Sequence, residues 1–189
     1  MMHNTFDVLF SPETGMAELV RKPCLWRSAV YFTMSVGFFS GVATNVILAG
    51  ESLQLRFALI AAVVIICAAA LALYGFLLHG IMETFGALAG DSLRLICLLG
   101  YTALPFLVLT PCALLASKSG FAGLLLYFLF LLAGFFWMLY LLMRSLEAVY
   151  LVDFTRAAVV TVFSILLMYT VFILPWNIFY RLLVLKLFQ

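Results

Sequence analysis

Five stretches of this chain contain no Asp, Glu, Lys or Arg: residues 28–50, 57–82, 95–117, 119–143 and 157–180. Each is 23 to 26 residues long, and a helix needs about 20 apolar residues to cross the hydrocarbon core of a bilayer. All 10 basic and 8 acidic side chains fall outside these stretches. One charge at mid-bilayer costs about 3 kcal/mol on insertion scales, so the pattern predicts an all-α, polytopic membrane protein with five transmembrane helices at those positions. Barrel strands fit poorly, because they are shorter and alternate in polarity. The first apolar run is too long for the core of a signal peptide and counts as the first span.

Residues 1–27 form a separate N-terminal segment ahead of a transmembrane domain at 28–189. Ser11-Pro12-Glu13 starts a helix: Ser suits the cap, Pro the first turn, and Glu the positive helix end. Met16, Leu19 and Val20 give this helix an apolar side, while Glu18, Arg21 and Lys22 give it a polar one. Pro23 ends it. The expectation is a short amphipathic helix at the membrane surface, its residues 11–22 either on the lipid or folded under the bundle, followed by Trp26 and Arg27 at headgroup level.

Composition agrees. Hydrophobic residues make up 67% of the 189 residues and charged residues 10%, against about half and about a quarter in soluble domains. The net charge of +2 decides little, but its distribution sets sidedness. With five spans, Arg21, Lys22, Arg27, Arg94, Arg144 and Arg156 share the N-terminal face; Arg56, Lys118, Arg181 and Lys186 occupy the other. The positive-inside rule then places the N-terminus in the cytoplasm and the C-terminus outside. The cysteines, Cys24, Cys67, Cys97 and Cys112, lack metal-site or redox spacing and read as free thiols.

Within the spans, Thr33, Gly37, Gly41 and Asn45 recur every four residues and form one small or polar stripe, either a helix-packing seam or a pore-lining face. The third span contains Pro105 and Pro111, and the fifth contains Pro175. A proline displaces the carbonyl four residues before it. In the third span these are the carbonyls of Tyr101 and Leu107, and Thr102, Thr110, water or an ion are the expected new partners.

The segment from His79 to Arg94 is a polar island between long apolar runs. His79 and Glu83 share a helix face, and such a pair can hold a proton or help to ligate a metal. Two ligands are too few for a metal site, and no H-E-x-x-H motif accompanies them. Ser117 and Lys118 are adjacent and cannot face each other as a dyad on a helix. No catalytic residue, metal or cofactor is assigned. The island reads as a connection in which Asp91 and Ser92 cap the third span, Arg94 sits at the headgroups, and His79, Glu83, Asp91 and Arg94 form a polar site at the cytoplasmic mouth. Between the fourth and fifth spans, Arg144–Glu147 and Asp153–Arg156 are opposite charges three apart, placed to pair locally.

Taken together, several features resemble the Yip family (Ypt/Rab-interacting proteins) in a compact, bacterial-type form. They are the stretch Phe6 to Pro12 with its helix to Pro23, and the glycine-bearing connection His79 to Gly90. To these are added Gly100-Tyr101-Thr102-Ala103-Leu104-Pro105 at the third span and the polar break before Ala157. The resemblance implies a five-helix bundle, a cytoplasmic N-terminus, self-association and no catalytic residues. Eukaryotic members have a long N-terminal region that this chain lacks, so Rab binding is not carried over. The expectation is a non-enzymatic scaffold or adaptor in a bacterial cytoplasmic membrane, presenting residues 4–27, 79–94 and 144–156 to cytoplasmic proteins or lipid headgroups, with no nucleic-acid partner. The alternative is a transporter or channel for a small solute or ion, built on the broken third span, the stripe of the first, and His79–Glu83 near its mouth.

Overall fold

The computed structural model describes residues 3–47, 50, 52–87, 90–116 and 120–173. The chain runs through α1 (His3–Phe10), α2 (Pro12–Arg21), α3 (Leu25–Ile47), α4 (Leu53–Thr84), α5 (Ser92–Tyr101), α6 (Leu104–Ala116), α7 (Gly120–Tyr150) and α8 (Phe154–Met168), and then a π-helical turn, Tyr169–Ile173. Among the described residues there is no strand. Four helical stretches there are long and apolar enough to cross a membrane: Leu53–Thr84, Ser92–Ala116, Gly120–Tyr150 and Phe154–Val171. The first predicted span corresponds to α3, 23 residues long.

Two boundaries differ from expectation. The polar break expected from residue 144 does not interrupt the fourth span, because α7 continues to Tyr150. Arg144 and Glu147 are tolerated in that helix because they pair at 2.7 Å. The third span is not one helix: α5 and α6 are separate, with Thr102 and Ala103 between them. Pro105 removes a donor there, and the chain tightens, with Thr102 N–H donating to Leu99 O and Phe106 N–H to Ala103 O.

Long helices define the shape. α4 and α7 have 32 and 31 residues, or about 48 and 46 Å of rise, against a hydrocarbon core of about 30 Å. Their C-terminal ends meet at one end of the bundle, and the main core lies there. Leu78 and Met82 of α4, Leu95, Leu98 and Leu99 of α5, Leu141 and Leu146 of α7, and Val8 and Met16 of the N-terminal helices are fully buried in one cluster. Among the described residues, the opposite end holds a small cluster of Phe39, Val42, Ala113 and Tyr127. Along the rest of α4, Leu53, Phe57, Ile65, Ile66 and Leu73 are exposed. In a membrane that face meets lipid, where exposure of apolar side chains carries no hydrophobic penalty.

The apolar side of α2 docks on protein. Met16 is fully buried, Leu19 and Val20 pack against the main core, and Ser145 Oγ lies 3.6 Å from Met16 Sδ. α1 folds back on α2 so closely that a Cβ on Gly15 would stand 2.7 Å from the Val8 backbone nitrogen. Trp26, just beyond, is exposed.

The most buried helix is α5, where six of ten residues are buried. Gly100 is what lets α3 reach it: a Cβ there would lie 2.0 Å from Ser28 Oγ and 2.9 Å from Ser28 O. The threonines beside the prolines bond to carbonyls other than the expected ones. Thr102 Oγ1 donates to Leu99 O at 2.7 Å, and Thr110 Oγ1 to Phe106 O at 2.7 Å. A hydroxyl reaches back three or four residues along its own helix, so it serves those carbonyls rather than Tyr101 O or Leu107 O.

Candidate functional site

Polarity concentrates where α4, α5 and α7 end and begin. α4 stops in a Schellman motif: Gly86 N–H donates to Glu83 O at 2.9 Å and Ala87 N–H to Met82 O at 3.0 Å. Gly86 has φ +80, the left-handed conformation this motif requires. Buried Ala87 and Met82 belong to the same cluster, the apolar contact that accompanies the motif. The next glycine has a different task. Gly90 lies under the Tyr150 ring, and a Cβ would come within 2.0 Å of it. Asp91 then caps α5, its Oδ1 accepting from Leu93 N–H at 3.0 Å, while Arg94 Nε stands 3.8 Å from Asp91 Oδ2.

His79 joins two helices. Its Nδ1 lies 2.6 Å from the Tyr150 hydroxyl, and its Nε2 lies 3.3 Å from Glu83 Oε1. Both ring nitrogens thus have partners, which fixes the ring between the ends of α4 and α7. Sequence pattern supplies the His79–Glu83 pair through its four-residue spacing. Tyr150 is 71 positions away, and no local pattern points to it.

Arg144 is the second junction. It contacts Glu147 Oε2 and Glu13 Oε1, each at 2.7 Å, and its Nε donates to the Tyr140 hydroxyl at 3.2 Å. Its guanidinium lies 4.7 Å from the centroid of Phe154 and 5.4 Å from that of Tyr140, within cation–π range. α2, α7 and the start of α8 are thereby joined at one cation. The local pairing with Glu147 holds as expected; Glu13, Tyr140 and Phe154 are additions.

Asp153 and Arg156 do not pair, contrary to expectation. Asp153 sits at the N-cap of α8 without a side-chain cap bond, and Arg156 donates to the Phe85 carbonyl. Phe85 is the C-cap of α4, so its carbonyl has no intrahelical partner and draws the cation across. Leu151, between α7 and α8, takes φ 54 and is 83% exposed. It is the one non-glycine residue with positive φ among the described residues.

The remaining candidates lie away from this end. Gly37 and Gly41 face α4, where a Cβ would meet Val64 and Ile60 at 3.7 Å each. Asn45 Oδ1 accepts from Arg56 Nη1 at 3.1 Å, and Thr33 is exposed. Their stripe therefore borders α4, at ordinary contact distance. Pro105 is buried and Pro111 lies inside α6; Pro175 lies outside the described residues. Among the described residues no three His, Cys, Asp or Glu side chains gather, and all four cysteines are free thiols.

The polar end combines internal pairing with exposed charge. Its charges are engaged in holding segments together, while Glu13, Glu83, Asp91 and Arg94 stay half or more exposed at its surface. The family model described as the Yip1 domain matches residues 6–174. No curated protein and no solved structure matches the chain.

Proposed function

The chain belongs to the Yip1-domain family, and from that premise we propose that it is a non-enzymatic membrane scaffold, with its polar end as the docking platform. Three segments distant in sequence meet there: α2, the turn from His79 to Arg94, and the junction of α7 with α8. The observation that carries this reading is Arg144, which holds Glu13 and Glu147 at 2.7 Å each and so fixes the N-terminal helix to the bundle. A platform fixed in this way has little ordering entropy left to lose when a partner binds.

In this reading the bundle crosses a bacterial cytoplasmic membrane five times, with α3 as the first crossing. The platform is cytoplasmic and the C-terminus lies outside. The bias of Arg21, Lys22, Arg27, Arg94, Arg144 and Arg156 toward one face supports that sidedness. Partners are lipid headgroups, cytoplasmic proteins and further copies of the chain. Transport draws less support. The buried hydroxyls of Ser35, Ser145 and Thr161 are spent on carbonyls of their own helices, and the cavity bordered by Phe39, Leu59, Phe106 and Tyr127 has apolar walls.

Photocrosslinking in intact cells tests the proposal. A photoreactive residue replacing Glu13 or Arg94 is expected to capture a protein partner, and one replacing the lipid-facing Ile66 is not. Recovery of only lipid and this chain from both platform positions would count against it.

A further inference from the structure

Away from the polar end, a cavity of about 600 Å³ opens between α3, α4, α6 and α7. Val36, Phe39, Ala43, Leu59, Val63 and Tyr127 contribute to its walls. Ser40 and Thr44 also border it, but their hydroxyls donate to Gly37 O and Gly41 O at 3.1 and 3.0 Å. The walls thus favour an apolar occupant and penalise a polar one.

One end is different. Arg56, Leu59, Val63 and Cys67 recur three or four residues apart and form one stripe of α4; the last three line the cavity. Arg56 heads the stripe and reaches across to Asn45 Oδ1 at 3.1 Å, which leaves the Asn45 amide N–H groups as donors. The stripe covers about 16 Å, close to half of a hydrocarbon core of about 30 Å. An apolar groove one leaflet deep, with a guanidinium at its rim, is complementary to an amphiphile with an anionic head.

We infer that this groove holds one acyl chain of a glycerophospholipid whose phosphate rests on Arg56 and the Asn45 amide. The site is independent of the platform and requires only that the bundle sit in a bilayer. Arg56 supplies charge-assisted hydrogen bonds to the phosphate, and the apolar walls replace neighbouring lipid along the chain.

Native mass spectrometry of the full chain in mild detergent tests it, with added phosphatidylglycerol, phosphatidylethanolamine or the matching diacylglycerol as probes. The expected result is one retained phospholipid per chain, with diacylglycerol retained at least fivefold less. Arg56→Gln should lower phospholipid retention at least fivefold, and Glu13→Gln, at the other end, should leave it unchanged. Val63→Trp and Ala43→Leu each fill the groove and should lower retention at least tenfold; the second guards against misfolding of the first. Equal retention of diacylglycerol overturns the phosphate contact, and displacement of the lipid by inorganic phosphate overturns the lipid as occupant in favour of a free anion. Retention indifferent to both filling variants overturns the groove, and so does a dimer that either variant dissolves, which would identify a second copy as the occupant.

Discussion

His79 Nδ1 and the Tyr150 hydroxyl stand 2.6 Å apart, and this contact joins the far ends of the two longest helices. Tyr150 is also buried over Gly90, so its ring and its hydroxyl contribute separately. Tyr150→Phe removes the hydrogen bond and keeps the ring; it should cost about 1 kcal/mol. Tyr150→Ala empties the site and should cost about 3 kcal/mol or more. Unfolding titrations in mixed micelles measure both. Equal losses would show that the ring does not pack as described.

Arg144 and Glu13 should respond unequally. The Arg144 side chain is 17% exposed and that of Glu13 68%, so solvent screens the acid more than the cation. Glu13→Ala should cost under about 1 kcal/mol, as exposed pairs do. Arg144→Ala also loses Glu147, Tyr140 and two aromatic faces, and should cost about 2 kcal/mol or more. Protease cleavage within residues 10–24 should rise with Arg144→Ala. Protection unchanged by that substitution would separate α2 docking from this contact.

Glycine substitutions divide into two groups. Gly100→Ala and Gly90→Ala drive a Cβ to 2.0 Å from Ser28 Oγ and from the Tyr150 ring, so each should lower stability by about 2 kcal/mol. Gly37→Ala and Gly41→Ala meet their neighbours at 3.7 Å and should change stability by less than about 1 kcal/mol, in the favourable direction through lower unfolded-state entropy. Folded yield by size-exclusion profile ranks all four.

Leu151→Gly should stabilise. Leu151 holds φ 54 while 83% exposed, so the substitution relieves the left-handed conformation at little cost in buried contact. A gain of about 1 kcal/mol is expected, read as a raised midpoint in thermal unfolding. A lowered midpoint would mean that the leucine side chain contributes contacts that outweigh its backbone strain.

Sequence reading reached much of what depends on local spacing. Charge-free runs mark the helices, Asp91 caps α5, and the spacings of His79–Glu83 and Arg144–Glu147 place those pairs correctly. It failed where a distant group competes better than a near one. Arg156 leaves Asp153 for the Phe85 carbonyl because that helix end needs a donor, a fact visible only once α4 and α8 are side by side. The four-residue spacing of Gly37 and Gly41 in α3 reads as a packing seam, yet the closest approaches are at Gly15, Gly75, Gly90, Gly100 and Gly134. Those partners, Val8, Ile96, Tyr150, Ser28 and Phe106, are set by tertiary arrangement. The apolar side of α2 was legible, but not whether lipid or α7 would cover it.

Sidedness underlies the platform, and cysteine accessibility measures it directly. In a background without the four native cysteines, single cysteines replace Glu13, Arg94, Leu53 and Phe121. A membrane-impermeant maleimide applied to intact cells should label positions 53 and 121 and spare 13 and 94; disruption of the membrane should expose all four. Labelling of 13 and 53 from the same side would contradict the five-crossing bundle with a cytoplasmic polar end.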